Sequence, residues 1–207
     1  DLYEISSWED EKLNLKNEVL RGIYAFGFEN PSSIQKKAIY PMTRNIHNGR
    51  RRDITAQAQS GTGKTGAFVI GSLDIIESNV VNPQVLILAP THELAEQILY
   101  VVENLSRYIK DVNPILVVGG TSVDKNKKQL NQLKPKIVVG TPGRVNDLIR
   151  RKFLKTNNLS LLVLDEADEM LSSGFKDQMY KIFRSIPNNV QIALFSATMP
   201  KDLHDLT

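Results

Sequence analysis

The chain has no cysteine, so it can form neither a disulfide framework nor a thiolate metal site. It also has no apolar stretch that approaches the ~18 residues a membrane-spanning helix needs. Its first residues are too acidic for a signal peptide. A strong excess of one charge is missing too, since the net charge of +3 favours an anionic partner only mildly. We therefore expect a soluble intracellular protein, in the cytoplasm or alternatively the nucleus.

The composition that is present is that of an ordinary globular protein, with 41% hydrophobic and 24% charged residues. A chain of 207 residues can bury one good core, and its length alone allows one or two domains. The sequence contains no internal repeat and no low-complexity linker. A single domain overall is the simplest expectation.

Short apolar or β-branched segments alternate along the chain with helical patterns. In residues 91–110 apolar side chains recur with a period of roughly 3.6 residues, and residues 175–186 do the same. This alternation predicts βαβ units, and hence an α/β fold with a mostly parallel sheet and helices on both faces. The predicted strands are residues 54–58, 85–89, 115–118, 137–139, 161–164 and 192–195.

The apolar run at residues 161–164 leads directly into the sequence Asp165-Glu166-Ala167-Asp168. An uninterrupted aliphatic run is typical of a strand buried on both faces of a parallel sheet. Three carboxylates at its end would repel one another unless a cation came to them, and ligands of open α/β sheets bind at that edge. The junction therefore predicts a metal–nucleotide site. A solvated acidic helix start is the alternative.

A glycine-rich segment upstream supplies the phosphate-binding part of such a site. Its backbone N–H groups and the following helix N-terminus are expected to bind phosphate, with Lys64 reaching the β- and γ-phosphates and Thr65 ligating Mg²⁺. The general pattern has Gly at the first position, where this chain has Ala58, and a chance glycine-rich turn is the alternative. The predicted nucleotide-binding loop consists of Ala58, Gln59, Ser60, Gly61, Thr62, Gly63, Lys64 and Thr65.

The first two carboxylates are expected to have different tasks. Asp165, at the strand end, would hold Mg²⁺ largely through water. Glu166 would polarise the water that attacks the γ-phosphate. Together with Lys64, these are the predicted catalytic residues, and ATP and Mg²⁺ are the predicted cofactors.

Residues 165–168, which we call the acidic quartet, and residues 58–65, which we call the P-loop, together resemble motifs of the DEAD-box RNA helicase family. Further motifs of that family follow in the order typical of the family and cover nearly the whole chain. Residues 20–28 and 170–178 are most similar to the translation initiation factor 4A subgroup. The resemblance implies a RecA-like P-loop domain of an ATP-dependent RNA helicase that binds RNA without sequence preference and unwinds short duplexes. It also implies a monomer that acts in translation initiation, with initiation-factor scaffold proteins as further partners.

The resemblance assigns a role to each remaining motif. Residues 27–35 resemble the Q motif, in which Gln35 reads the adenine edge and Phe28 belongs to the nucleotide site. Asp168, Ser196 and Thr198 resemble the element that couples hydrolysis to strand separation. The motifs that resemble RNA-contacting elements contain Pro90, Thr91, His92, Gly119, Gly120, Thr141, Pro142, Gly143 and Arg144.

The chemistry of these side chains can be considered beside the resemblance. Gln35 carries a donor and an acceptor, so it can pair with adenine N6 and N7 and reject guanine. Residues 141–144 offer a hydroxyl, backbone amides and a guanidinium at a helix start, a set that binds phosphates rather than base edges. Alternatively, Ser196 and Thr198 form an ordinary N-cap. Trp8, the single tryptophan, either stacks on the base or packs locally.

Three features depart from the family pattern. His92 stands where the family usually has Arg; a neutral imidazole cannot make a bidentate phosphate contact, so we expect a weaker, pH-sensitive RNA grip or local packing. Residues 41–53 are longer than in the subgroup and rich in arginine, which predicts a solvated loop or, alternatively, an added RNA or partner contact. The sequence stops soon after Thr198, so a second RecA-like domain with its arginine fingers is expected to lie outside it.

The expected organisation is an N-terminal flank with a helix and the Q motif, residues 1–35, followed by a RecA-like ATP-binding domain, residues 36–207. Without arginine fingers this chain is expected to bind adenine nucleotide weakly and to hydrolyse it negligibly. Two other functions stay open. One is an ATP-gated RNA clamp in an RNA-processing assembly, and the other is a P-loop kinase or switch that acts on a small molecule.

Overall fold

The structure, a computed structural model, describes residues 2–204, without the side chain of His204. The predicted domain limits at residues 1 and 207 lie outside the described residues. The strands are β1 (Ile46–His47), β2 (Arg50–Arg51), β3 (Ile54–Gln57), β4 (Val85–Leu88), β5 (Ile115–Val117), β6 (Ile137–Gly140), β7 (Leu161–Asp165) and β8 (Gln191–Ser196).

The helices connect and cover these strands. They are α1 (Asn17–Phe26), α2 (Ser33–Arg44), α3 (Lys64–Ile75), α4 (His92–Leu105), α5 (Val123–Leu133), α6 (Pro142–Arg150), α7 (Ala167–Ser172), α8 (Lys176–Ser185) and α9 (Lys201–His204). Within residues 2–204 no helix combines the length and the apolar character that crossing a membrane requires.

Strands β3 to β8 form one six-stranded sheet in the order β3-β8-β7-β4-β6-β5, and every pairing in it is parallel. Strand β7 lies in the middle, where Leu162 is in register with Ile192 of β8 and with Leu86 of β4. The predicted α/β fold is confirmed, and each predicted strand exists with its ends shifted by no more than one residue.

The sheet separates two hydrophobic cores. Leu161 and Val163 of β7 face the core that contains residues of α1 to α4, whereas Leu162 and Leu164 face the core that contains residues of α6 to α9. Every residue of β4, β6, β7 and β8 is buried. Burial on both faces is the reason these strands are continuous apolar runs in the sequence.

The segment before the first core helix belongs to the same packing unit as the sheet. Ile5, Trp8 and Leu13 are buried in the core that α1 to α4 share. Trp8 is 1% exposed, so of its two interpretations the structure shows a packed side chain. Its indole Nε1 is buried without a hydrogen-bond partner among the described residues.

The arginine-rich segment at residues 41–53 was expected to be a solvated loop or an added contact, and its residues 46–50, 52 and 53 are exposed but lie in and beside regular secondary structure. Pro41 still lies inside α2, and β1 and β2 then pair as an antiparallel hairpin, with His47 opposite Arg50. Asn48 and Gly49 both have positive φ, of 53° and 74°, as a two-residue type I′ turn requires. The hairpin contacts the start of β8, at the amino end of the sheet, where Arg50 donates to the Val190 carbonyl at 3.0 Å.

Candidate active site

The carboxyl ends of the six parallel strands bring the predicted motifs to one edge of the sheet. The adjacent strands β3, β8 and β7 lead into the motifs at residues 58–65, 196–198 and 165–168, respectively. The adjacent strands β4, β6 and β5 lead into the motifs at residues 90–92, 141–144 and 119–120. The sheet order thus gathers the predicted nucleotide motifs on one half of the edge and the predicted RNA motifs on the other half.

The P-loop connects β3 to α3 through glycines that adopt left-handed backbone angles. Gly61 has φ of +80°, and Gly63, the residue before α3, has φ of +89°. Residues other than glycine rarely adopt these backbone angles. Residues 59–62 are exposed. Ala58 is buried, and its N–H donates to the Ser196 carbonyl at 2.9 Å, which extends the β3–β8 pairing. An exposed loop before a helix N-terminus is a geometry that binds phosphate.

Lys64 joins the P-loop to the acidic quartet. Its Nζ lies 2.9 Å from Oδ1 of Asp165 and 3.6 Å from Oε1 of Glu166. The Lys64 side chain is 7% exposed and that of Asp165 is fully buried. The three predicted catalytic residues therefore form one contact group directly beneath the phosphate-binding loop.

Asp165 is a buried carboxylate with few partners. Lys64 is the side chain that pairs with it, and apart from that ion pair no other side chain among the described residues bonds its oxygens. Burial raises the pKa of Asp165; the ammonium of Lys64 lowers it in part, and the nearby carboxylate of Glu166 raises it further. A buried carboxylate in this condition can accept an additional cation.

Glu166 occupies a strained backbone position. Its φ of 53° and ψ of 49° are left-handed, although it is not glycine. Such residues cost about 1–3 kcal/mol and cluster at functional sites. The conformation ends β7 and starts α7, and Ser60 of the P-loop donates to Glu166 Oε1 at 3.4 Å. This backbone turn thus places a carboxylate that is 24% exposed against the loop that would carry the phosphates.

The donor set around Asp165 fits a magnesium ion that arrives with a nucleotide. Mg²⁺ usually takes one or two carboxylates together with substrate phosphates and water. Asp165 offers a carboxylate that contacts Lys64 through Oδ1 alone, and Thr65 lies in the first turn of α3 beside Lys64. Within the described residues no group of three or more His, Cys, Asp or Glu side chains could hold a metal ion. The protein side chains alone therefore do not complete a metal site, and a magnesium ion here would also need ligands from the nucleotide and water.

Asp168 is tied to the end of β8. Thr198 donates to its Oδ2 twice, from Oγ1 at 2.8 Å and from the backbone N–H at 3.1 Å. Ser196 instead accepts from the backbone N–H of Asp168, at 3.3 Å. Burial raises the pKa of Asp168, but hydrogen bonds that Thr198 and the Glu169 N–H donate to its carboxylate outweigh burial and leave the pKa below its ordinary value. The three predicted coupling residues thus form a contact between the start of α7 and the end of β8.

Gln35 is bonded within the protein at both ends of its amide. Its Oε1 accepts from the Ser32 N–H at 2.8 Å, which completes a capping box at the start of α2. Its Nε2 donates to the carbonyl of Gly63 in the P-loop at 3.1 Å. A Cβ added to Gly66 would lie 2.7 Å from that Nε2 and 3.1 Å from Phe28, so both predicted Q-motif residues pack against the start of α3.

The predicted RNA residues after β4 form the start of α4. Thr91 is its N-cap and accepts from the Leu94 N–H at 3.1 Å. Pro90, the preceding residue, is buried. His92 is 49% exposed, and its Nε2 lies 3.0 Å from Oε1 of Glu96, one turn along the helix. A local polar contact is thus present at the position where the family usually has Arg.

Arg144 is held by the neighbouring strand connection. Its guanidinium donates to the Thr121 carbonyl at 2.7 Å, to the Thr121 hydroxyl at 3.2 Å and to Asn126 Oδ1 at 3.1 Å. The remaining N–H groups of its five donors stay available to a ligand. Gly119 and Gly120 are exposed just before Thr121, and Gly120 has φ of +81°.

The start of α6 stands next to that connection. Thr141 is the N-cap residue, its hydroxyl makes no capping bond, and its N–H donates to the Val117 carbonyl at 3.1 Å. Pro142 occupies the first turn, and a Cβ at Gly143 would meet nothing within 4 Å. The four residues 141–144 therefore combine an uncapped helix start with open space above it.

Two residues in these contacts were missed in the sequence analysis. Asn126, which is buried, accepts from Arg144 and donates to the Leu116 carbonyl at 3.1 Å, so it links α5, α6 and β5. No local sequence signal marks it. Ser32 could have been found, because Ser-x-x-Gln at residues 32–35 is the signature of a capping box.

A parallel sheet with a P-loop after one strand and an Asp-Glu pair at the end of another defines a RecA-like nucleotide-binding domain. Comparison with known sequences identifies the family within this class of domains. The profile of the family described as DEAD/DEAH box helicase matches residues 32–206. This chain belongs to that family.

The curated relatives include several forms of one helicase. The ATP-dependent RNA helicase eIF4A of Pyricularia oryzae is 51% identical over 197 residues, which are 95% of this chain and 48% of that protein. Eukaryotic initiation factor 4A of Caenorhabditis elegans is 50% identical over 203 residues, which are 98% of this chain and 48% of that protein. The chain thus spans about half the length of the curated relatives it matches.

Solved structures show the same fold. A DEAD box protein from the hyperthermophile Methanococcus jannaschii superposes with a TM-score of 0.89 at 36% identity, over 98% of this chain and 53% of that one. Saccharomyces cerevisiae Dbp5 bound to RNA and ADP BeF3 superposes with a TM-score of 0.83 at 38% identity, over 97% of this chain and 49% of that one.

Proposed function

We propose that this chain is the ATP-binding part of an RNA helicase that uses ATP binding and hydrolysis to bind RNA without sequence preference and to open short duplexes. The observation that carries the proposal is the contact group beneath the P-loop, in which Lys64 touches both Asp165 and Glu166. Asp168, in the same quartet, is bonded to Thr198. A role in translation initiation and a cytoplasmic location are supported by the initiation factor 4A relatives.

The nucleotide would bind across the first half of the sheet edge. The exposed P-loop amides and the α3 N-terminus would hold the phosphates. The Lys64 ammonium would move away from Asp165 and contact the β- and γ-phosphates. Gln35, which packs on Gly63, would exchange one internal hydrogen bond for a bond to the adenine edge. Phe28 would support the base from the same side.

Asp165 and Thr65 would hold Mg²⁺, which when bound supplies positive charge for the phosphate oxygens. Glu166 would orient the attacking water and accept its proton, while the water oxygen bonds to the γ-phosphorus and the bond to the β,γ-bridging oxygen breaks. ADP and phosphate are the products. The left-handed backbone of Glu166 fixes its carboxylate for this task before substrate arrives.

RNA would bind to the second half of the edge. The helix starts at Thr91 and Thr141 and the exposed glycines at residues 119–120 offer backbone N–H groups, and Arg144 adds a guanidinium. These groups recognise phosphates and carry no base information, so binding should be independent of sequence. The likeness to Dbp5, whose solved structure holds RNA and ADP BeF3, supports this assignment.

Hydrolysis is proposed to need groups from outside this chain. Among the described residues no arginine bonds to the P-loop or to the carboxylates of the acidic quartet, whereas an arginine finger is worth about 10³–10⁵ in rate. We therefore infer that the remaining length of the protein supplies a second RecA-like domain.

An ATPase assay with and without oligouridylate tests the proposal. The full-length protein should hydrolyse ATP faster when RNA is added, and the 207-residue chain alone should hydrolyse it negligibly. Absence of RNA stimulation in the full-length protein would contradict the helicase function. Robust RNA-stimulated turnover by the chain alone would contradict the need for a second domain.

A further inference from the structure

The amino edge of the sheet, opposite the candidate active site, carries two hollows that adjoin at Arg51. The first, of about 640 Å³, lies between the end of α3, the end of α2 and the segment that follows α4, and Arg44, Lys110 and Lys136 contribute to its lining. The second, of about 440 Å³, is lined by His47, Asn48, Arg50, Arg51, Arg52 and Asp53 of the hairpin. We call the two together the amino-edge groove.

Positive charge dominates the amino-edge groove. Seven lysines and arginines line it against four carboxylates. Two of the carboxylates are already paired, Asp74 with Arg44 at 2.6 Å and Asp53 with Arg50 at 3.4 Å. The groove therefore keeps a clear excess of cations after its internal ion pairs are formed.

Some of these cations have structural tasks and some do not. Lys16 donates to the Ile76 carbonyl at 2.7 Å, beyond the end of α3, and Lys136 donates to the Asp111 carbonyl at 2.9 Å. The exposed side chains of Arg52 and Lys110 make no hydrogen bond or ion pair with any residue in the described range. Arg51 bonds Gln191 through Nε alone, at 3.0 Å, which leaves its terminal nitrogens toward the groove.

The cations of the groove also crowd one another. Burial lowers the pKa of Arg51; Glu77 opposes that change, and the like charge of Arg44 adds to it. An anion between these side chains would offset the lost hydration of Arg51 and reduce its repulsion from Arg44. Guanidinium groups bind phosphate oxygens in a planar, two-bond geometry that suits such a site.

We infer that the amino-edge groove is a second binding surface for the phosphate backbone of RNA, separate from the surface at the carboxyl edge. Among the described residues the hairpin hollow has no apolar lining residue, and none of the apolar residues that line the first hollow, Leu73, Ile75, Ile76 and Ile109, is exposed. A protein partner would be expected to need exposed apolar anchors. The inference rests on the proposed function in that RNA is taken as the partner. A strand that reaches both edges would be held by two surfaces at once, which raises its effective concentration at each.

The salt dependence of RNA binding tests the groove. A fluorescent 20-residue oligouridylate is titrated with the 207-residue chain at several salt concentrations, without nucleotide. The double variant R52S/K110S should bind with a shallower dependence of log affinity on log salt, by about 1.4, because each lost phosphate contact removes about 0.7. The variant R50S/R52S/K110S should lose a third contact. The double variant keeps the Arg50 contacts to β8, so its fold is the safer of the two.

The matched control is K155S/R184S, which removes the same charge from exposed positions outside the groove. It should leave the salt dependence within about 0.3 of the parent. An unchanged slope in R52S/K110S, with thermal unfolding equal to that of the parent, would overturn the inference. Tighter binding of a 20-residue oligoglutamate than of the RNA, lost in the double variant, would also overturn it in favour of an acidic protein partner.

Amide hydrogen exchange separates this inference from the proposed function. Protection of residues 44–53 by the oligouridylate supports the groove even if residues 90–92, 119–120 and 141–144 stay unprotected, a result that would count against the carboxyl-edge RNA surface. Protection of the carboxyl edge alone supports the proposed function and overturns the groove.

Discussion

The Nζ atom of Lys64 lies 2.9 Å from Oδ1 of Asp165, and both side chains are almost completely shielded from water. In this arrangement the lysine is the main counter-charge of the carboxylate and lies closer to it than any other cation among the described residues. A nucleotide would have to draw the ammonium toward its phosphates, and a cation would then have to replace it at Asp165. Occupancy of the P-loop and occupancy of the metal position are therefore expected to be linked.

Asp165→Asn should stabilise the fold near neutral pH while abolishing Mg²⁺-dependent nucleotide binding. Burial raises the pKa of Asp165. A carboxyl with a raised folded-state pKa stabilises the fold below its unfolded pKa of about 3.9, and that contribution is lost as pH rises through the folded-state pKa. The melting temperature of the variant should thus exceed that of the parent at pH 7, and the gap should close toward pH 4.

Circular dichroism melts between pH 4 and pH 8 measure this difference. Asp177→Asn is the control, because Asp177 is exposed and, among the described residues, pairs with Lys181 alone. A lower melting temperature for Asp165→Asn at pH 7 would mean that the unpaired charge of Lys64 outweighs the buried carboxylate.

Glu166→Gln in the full-length protein should keep ATP and RNA binding and lose turnover, because the amide cannot accept the proton of the attacking water. Glu166→Gly should lose turnover as well, and should also raise the free energy of unfolding by about 1 kcal/mol, since glycine relieves the left-handed backbone at φ of 53°. Lys152→Gly, at a similar φ of 63° away from the site, controls for the backbone effect. Undiminished hydrolysis by Glu166→Gln would remove Glu166 from the base role.

Gln35→Glu should separate the two tasks of this side chain. A glutamate keeps an oxygen for the Ser32 N–H and so retains the helix cap, but it loses the donor to the Gly63 carbonyl. Binding of ATP should weaken and preference over GTP should fall, as measured by competition with a fluorescent nucleotide. Gln35→Ala should in addition cost about 1 kcal/mol of stability through loss of the cap. Equal preference for ATP in the parent and in Gln35→Glu would contradict adenine reading by Gln35.

His92→Arg should strengthen RNA binding in the full-length protein with ATP present. Arginine offers a two-bond contact to phosphate that imidazole cannot make. The exposed Glu96 now holds His92 at 3.0 Å, so Glu96→Gln serves as the companion variant that frees the native side chain. Fluorescence anisotropy with oligouridylate gives the affinities. If neither change alters them, residue 92 lies outside the RNA surface.

The parallel sheet could be predicted because burial on both faces leaves an unmistakable pattern. The run at residues 161–164 and the acidic residues after it located the strand and the carboxyl edge together. The P-loop could be predicted because only glycine adopts the backbone angles at residues 61 and 63 without strain. In these places one local requirement determines the residue type.

Other features depend on contacts between distant segments and left weaker signals. The hydrogen bond between Arg144 and Asn126 joins residues 18 positions apart, and neither residue type predicts it. The hairpin at residues 46–51 did have a local signal, the Asn48-Gly49 pair, which was outweighed by the high charge of the segment. The burial of Trp8 required knowledge of where α1 and α2 pack, which periodicity alone does not provide.

The close packing of α1 has a practical consequence for how this protein can be cut. A Cβ added to Gly22 would lie only 2.2 Å from the Leu105 carbonyl oxygen, so the two helix backbones nearly touch. The family match begins at residue 32, yet Ile5, Trp8, Leu13, Val19 and Ile23 lie before it and are buried. A polypeptide that started at the family boundary would uncover the apolar side of α4 and should be recovered as aggregate. The region that matches the family is therefore shorter than the region that the chain needs to fold into a soluble domain.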